Sequence, residues 1–146
     1  MLMNRGKSLL AAAVFAAALV TPTAAYAAST GATAPTSEKT VAADGNLYAW
    51  EHSWKGGRQA TWSGDSSNWS DRNMRNQASS VDNQGYAGAY DDVRLYWDAG
   101  YGGASYCLAN GHYLMDMRYD YFPYNGAGGG EAMNDNVSSH RWVNSC

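Results

Sequence analysis

Cysteine is nearly absent from this chain: among 146 residues only Cys107 and Cys146 carry thiols, with no C-x-x-C pair to seed a structural metal site. Histidine is almost as scarce. His52, His112 and His140 are scattered, no H-E-x-x-H occurs and no motif sets one beside a nucleophile, so they read as surface or hairpin residues. The G-x-S-x-G elbow of serine hydrolases is missing too. Asp91 and Asp92 supply neighbouring carboxylates, but consecutive residues of a strand face opposite ways and make a poor acid pair. An enzyme is therefore not expected. No window of about eleven residues holds a period of 3.6, which leaves little room for helix.

Basic charge is in deficit and long apolar runs are missing. The apolar run 9–20 falls short of the ~20 residues that a membrane-spanning helix needs. Arg5 and Lys7 precede it and Ala25-Tyr26-Ala27 follows, which makes residues 1–27 a secretory signal peptide with an A-x-A cleavage site. The formal net charge of −3 becomes −5 once Arg5 and Lys7 are removed, and an acidic surface argues against nucleic acid and anionic membranes as partners. Residues 28–44 are mostly Ala, Ser, Thr, Gly and Pro, a composition that predicts a flexible tail. Residues 45–146 remain as one domain, expected to be secreted, extracellular and monomeric. In an oxidising compartment two lone cysteines most simply pair, so Cys107 and Cys146 are expected to form a disulfide.

What the chain has in quantity is aromatic residues and glycine, with 6 Trp, 11 Tyr and 16 Gly. They fall into two degenerate copies of one pattern. The first is Trp50-Glu51-His52-Ser53-Trp54-Lys55-Gly56 with Asn76-Gln77-Ala78-Ser79-Ser80. The second is Trp97-Asp98-Ala99-Gly100-Tyr101-Gly102-Gly103 with Asn134-Asp135-Asn136-Val137-Ser138-Ser139. Aligned on aromatic-x-Gly, Trp50-Glu51 falls on Trp97-Asp98 and Trp54 on Tyr101. Each copy reads as a β-hairpin folded over on itself, with its glycine free to take positive φ and Trp54 or Tyr101 covering the bend. The Ser-Ser hydroxyls would hydrogen-bond backbone groups in that bend. One such unit cannot bury its apolar face alone, but two facing each other can.

Val93, Leu95 and Trp97 alternate with Arg94, Tyr96 and Asp98, the period of a half-buried strand, and Tyr106 to Leu108 is its expected partner. The second copy is longer than the first, and the excess lies in 115–130, where Tyr119, Tyr121, Phe122 and Tyr124 precede a run of glycines. A long loop inserted into a compact repeat is often functional.

These residues resemble the secreted bacterial βγ-crystallin-like proteins, in particular the Streptomyces metalloproteinase inhibitor family. Tyr96-x-x-x-x-Tyr101-x-Gly103 fits the crystallin hairpin signature, and Asn134-Asp135-x-x-Ser138-Ser139 fits the family's calcium motif. The first half departs from both. Ala49 stands where the first aromatic belongs, with Tyr48 one residue early, and Arg75 stands where the motif has Asn or Asp. The resemblance implies an all-β fold, two Greek-key motifs forming a βγ-crystallin-like sandwich. It also implies no required cofactor, with calcium as an optional ligand. One calcium site would join Asp135 to Ser79 and the other Asn76 to Ser138, each with a backbone carbonyl at Glu51 or Asp98.

The function that the resemblance implies is inhibition of an extracellular metalloproteinase, with a secreted protease as partner. The expected contact is Cys107-Leu108, held by the disulfide, together with Tyr119, Tyr121, Phe122 and Tyr124, since aromatic side chains give large contact area at low entropy cost. The alternative is a crystallin-like protein that binds cell-wall glycan or acts as a toxin at a cell surface, using the same aromatic residues as an open platform.

Overall fold

The computed structural model describes residues 42–146, where the short apolar–polar alternations become seven strands. They are β1 (Asn46–His52), β2 (Gly56–Trp62), β3 (Ser80–Gln84), β4 (Asp92–Tyr96), β5 (Ser105–Leu108), β6 (Tyr113–Leu114) and β7 (Ser139–Val143). Among the described residues the only helical elements are three 3-10 turns, as the lack of a 3.6 period predicts. The expected signal peptide, 1–27, and most of the expected tail, 28–44, lie outside the described residues.

The strands form two antiparallel sheets, a four-stranded one in the order β2-β1-β3-β6 and a three-stranded one in the order β5-β4-β7. Leu47, Ala49 and Val81 of the first and Val93 and Leu95 of the second are completely buried, the inward half of each alternation. Trp69, Met74, Met117, Phe122 and Met133 complete this core from the connecting segments. Methionine, unbranched and flexible, suits the irregular gaps between loops and sheets.

The two halves exchange their third segments. β6, from the second half, pairs with β3 through Val81↔Leu114 and Asp82↔Tyr113. In return Ser66 of the first half bridges to His140 in β7. Each half is thus a Greek key whose third segment pairs with the other half, as strand β6 in one direction and as the single bridge at Ser66 in the other.

The hydrogen bonds of the two bends give the internal repeat a register one residue away from the sequence alignment. Lys55 N donates to Ser80 Oγ at 3.1 Å and Tyr101 N donates to Ser139 Oγ at 3.1 Å. Ser80 Oγ in turn donates to His52 O at 2.9 Å, and Ser139 Oγ to Asp98 O at 2.6 Å. Trp50 therefore corresponds to Tyr96, His52 to Asp98, Lys55 to Tyr101, and Gly57 (φ 74°) to Gly103 (φ 73°). The misalignment has a plain cause, since Gly56-Gly57 and Gly102-Gly103 are both glycine pairs and offer two registers. Ala49 is not a defective first aromatic, because Trp50 fills that place. Nor does Trp54 cover the bend: it aligns with Gly100, and its side chain is 74% exposed. The cover in the first half is Lys55, whose Nζ sits 5.3 Å from the Trp50 ring centroid, where Tyr101 sits 5.8 Å from Tyr96 in the second. A cation–π contact has replaced an aromatic pair at the same corner.

Candidate functional site

The Ser-Ser segments meet between the halves. Asn76 and Asp135 both take positive φ, at 53° and 58°, a conformation that short polar side chains tolerate. Their backbones cross-link the two loops, Asn76 N to Val137 O at 3.0 Å and Asp135 N to Ala78 O at 2.9 Å. Beyond this symmetry the two joints differ. On one side Glu51, His52, Asn76, Gln77, Ser79 and Asp135 line an open cleft of about 350 Å³. Ser79 Oγ donates to Glu51 O at 2.9 Å, so a hydroxyl oxygen and a carbonyl oxygen sit side by side there. Burial raises the pKa of Asp135, opposed by the hydrogen bond from Asn134. That set of oxygens fits a hard cation such as calcium.

On the other side the oxygens are already engaged. Ser138 Oγ donates to Asn76 Oδ1 at 2.8 Å, and Arg75 aims its guanidinium at the same group, with Nε 3.4 Å from Ser138 Oγ. Arg75 also lies 3.3 Å from Asp98 Oδ1. A dication about 4 Å from that guanidinium would be repelled by about 2 kcal/mol even at the dielectric of water, and by more in partly buried surroundings. The Asn76–Ser138 pair therefore does not fit a metal ion. Asp98 is also corrected as the source of a ligand carbonyl: its carbonyl accepts from Ser139 in the bend, and the residue equivalent to Glu51 is Trp97.

Cys107 and Cys146 are joined, with a Cα–Cα distance of 5.4 Å. Asp92 lies beside them and accepts from Cys146 N at 2.7 Å. With both sulfurs in a covalent bond this group is a staple rather than a metal site. The disulfide ties β5 to the end of the chain across β4.

The 115–130 segment is a braced loop. Trp54 N donates to Met115 O at 2.7 Å and Ser53 Oγ to Asp116 Oδ1 at 3.1 Å, which fastens its start to the first bend. The Arg118 hydrogen bond, aided by Ser53, holds the Asp116 carboxyl down at about 2. Further on, Phe122 N bonds Glu131 O at 3.0 Å and Gly130 N bonds Phe122 O at 2.8 Å. Asn125 clamps β5, accepting from Ser105 N at 2.9 Å and donating to Ser105 O at 3.0 Å. Gly128, at φ +82°, leaves room for the Trp97 ring, which a Cβ would meet at 2.3 Å. Tyr119, Tyr121 and Tyr124 are left exposed on this frame, at 73%, 56% and 91%.

Two of the expected contact residues lie elsewhere. Leu108 faces Val93 in register and is buried, so the Cys107-Leu108 bond does not offer an apolar side chain to a protease cleft. Phe122 is buried as well, and acts as the apolar anchor under the tyrosines. Trp54 was missed as a surface residue, and the signal that finds it is backbone strain: a bulky side chain sits at φ 59° where the other half has Gly100.

His140 is corrected from surface to core. Its Nδ1 accepts from Trp69 Nε1 at 2.7 Å and its Nε2, 2.9 Å from Gly64 O, donates to that carbonyl. Trp62 stacks on Trp69 at 4.7 Å, and both rings meet the imidazole edge-on. Burial among these rings lowers its pKa to about 4, outweighing the Gly64 hydrogen bond and the charges of Asp65 and Asp71.

With this geometry in hand, the chain resembles solved βγ-crystallin structures. A βγ-crystallin from Ciona intestinalis is 17% identical, with TM-score 0.50 over 67% of this chain and 99% of that one. A βγ-crystallin from an archaeon is 20% identical, with TM-score 0.50 over 67% of this chain and 96% of that one. A third structure, concerned with evolution of the eye lens βγ-crystallin domain fold, is 16% identical with TM-score 0.51 over 66% and 83%. No family model and no curated protein matches the chain. At these identities the likeness establishes the βγ-crystallin domain fold, all-β with two antiparallel sheets, and function has to be argued from the sites.

Proposed function

We propose that this is a secreted, non-enzymatic inhibitor of an extracellular metalloproteinase, acting as a monomer through the tyrosines of the 115–130 loop. The observation that carries the reading is a loop with one aromatic residue buried as its anchor and three exposed above it. Phe122 is 1% exposed, whereas Tyr124 is 91% exposed two residues later. A loop already ordered by Asn125, Gly128 and the Phe122–Gly130 bonds loses little entropy when a partner closes on it. Hot spots in protein interfaces are enriched in Tyr and Trp, and Trp54, bonded to the loop's first turn, adds a further candidate. The choice of target rests on the resemblance to the Streptomyces inhibitor family, carried by the crystallin hairpin signature Tyr96-x-x-x-x-Tyr101-x-Gly103 together with Asn134-Asp135-x-x-Ser138-Ser139. The test is titration of the purified protein against thermolysin-type metalloproteinases, with a serine protease as control. Stoichiometric loss of metalloproteinase activity is expected and should vanish when Tyr119, Tyr121 and Tyr124 are replaced together by Ala. No inhibition at a tenfold molar excess across the panel would reject the reading.

A second reading concerns calcium, and the open Glu51–Ser79–Asp135 cleft favours it. Asp135, Ser79 Oγ and the Glu51 carbonyl would hold the ion, with water completing its oxygen set. Calcium there would neutralise a carboxylate between the halves and tighten their joint. Calorimetry should find one site, lost in Asp135→Ala.

A further inference from the structure

A second cleft, of about 440 Å³, lies away from both the tyrosine loop and the Ser-Ser joint, lined by Gly64, Asp65, Gly85, Tyr86, Tyr90 and Trp142 among others. Its volume is within the range of about 300–1,000 Å³ typical of small-ligand sites. Its aromatic walls are set by backbone geometry. Gly45 lies directly under the Tyr86 ring, where a Cβ would come within 2.6 Å, and Gly85 lies equally close to the Trp142 ring. Buried Asn83 fixes both ends of the 85–91 loop, accepting from Gly85 N and donating to Asp91 O, each at 2.9 Å. Tyr90 stands at φ 58° on this loop, with its backbone N bonded to Asn144 Oδ1 at 3.0 Å and its ring 62% exposed. An aromatic residue at positive φ and mostly exposed is a strained position, and such strain tends to collect at binding sites.

The polar groups of the cleft define the ligand. Asp65 Oδ1 accepts from Trp142 N at 2.8 Å, and the carboxylate keeps further acceptor positions. The indole Nε1 of Trp142 is buried and has no hydrogen-bond partner among the described residues. No lysine or arginine lines the cleft. Arg141, 4.0 Å from Asp65 Oδ2, places its guanidinium over the Tyr101 ring at 4.1 Å. An anion would meet a carboxylate with no lining cation, and a purely apolar ligand would leave Asp65 desolvated. Among the described residues Tyr86, Tyr90 and Trp142 do not stack on one another or on any other ring; Tyr86 and Tyr90 are mostly exposed, and Trp142 is half-buried against the core at the cleft floor.

We propose that this cleft binds one sugar ring of a neutral glycan. The C–H faces of a pyranose match the aromatic walls, and its hydroxyls match Asp65 and the surrounding backbone groups. The proposal is independent of the inhibitor reading, which uses a different loop. The experiment is NMR titration of the purified protein with hexasaccharides of β-1,4-linked N-acetylglucosamine, β-1,4-linked glucose and β-1,3-linked glucose, with choline chloride as a cation control. At least one hexasaccharide should shift the Trp142 indole N–H resonance saturably. Tyr90→Gly should weaken that binding at least tenfold while the unfolding midpoint stays level or rises, since glycine relieves the positive φ. The proposal is overturned if no hexasaccharide moves the resonance at millimolar concentration, if choline alone moves it, or if Tyr90→Gly binds as the parent does.

Discussion

Acidification from pH 7 to pH 4 is expected to remove about 3 kcal/mol of stability through one side chain, His140. Folded, the imidazole is neutral and enclosed by Trp62 and Trp69, with a pKa of about 4 against the ordinary 6.5. The unfolded chain takes up this proton as pH falls through 6.5, whereas the folded chain resists until about pH 4. Acid therefore favours unfolding across that interval by about 1.4 kcal/mol per pH unit, and the penalty levels off once the folded imidazole also titrates. Against a typical stability of about 5–15 kcal/mol the loss is large. The neighbouring carboxylates do not share this window in the same sense. Asp116, held down at about 2, loses its contribution only below pH 3.8, and Asp120 and Asp135, raised by burial, oppose the trend. Urea unfolding followed by tryptophan fluorescence at pH 7.5, 6.5, 5.5 and 4.5 would measure the slope. His140→Gln can keep both hydrogen bonds without titrating, and its slope should be nearly flat where that of the parent is steep. A shared slope, or an imidazole seen by NMR to titrate near 6.5, would refute the reasoning.

Arg75→Ala should raise calcium binding from one site to two, because the guanidinium that occupies the Asn76–Ser138 joint is then gone; calorimetry that still finds one site would show that Arg75 is not the block. Gly128→Ala should lower stability by at least about 2 kcal/mol and weaken inhibition with it, since the methyl group meets both an unfavourable φ and the Trp97 ring. Reduction of Cys107–Cys146 should cost about 4 kcal/mol by the loop-closure estimate and leave a folded protein with native near-ultraviolet dichroism.

Much of this architecture was legible because alternation and repetition are local signals. Val93 and Leu95 announced β4, and the Ser-Ser pairs announced two clamped bends. The disulfide followed from counting. What failed was whatever depends on partners far along the chain. His140 reads as a surface residue until Trp69 and Gly64 arrive to satisfy its two nitrogens. Leu108 and Phe122 looked available because their segments are rich in groups suited to binding, and burial, which sequence does not display, claimed both. The repeat register slipped by one because two glycine pairs are interchangeable in an alignment and only one glycine of each pair holds the shared backbone angle. Of the candidate calcium ligands, Arg75 was visible as a departure, but only geometry shows its guanidinium at the oxygens a cation would need. The cleft at Tyr86, Tyr90 and Trp142 left no linear motif, since four separate segments build it.

The exchanged third segments also govern how this chain can reach its fold. Trp69 meets His140 across 71 residues and Gly64 meets it across 76, so the first half cannot complete its packing until the C-terminal strand has been made. A domain dominated by such distant pairings is expected to fold in milliseconds to seconds rather than microseconds. On a ribosome, the first half alone would present β3 as an open edge, the form of strand most prone to pair with another chain. Cutting the chain within 85–91 should accordingly give two fragments that are each unfolded alone and that fold when mixed.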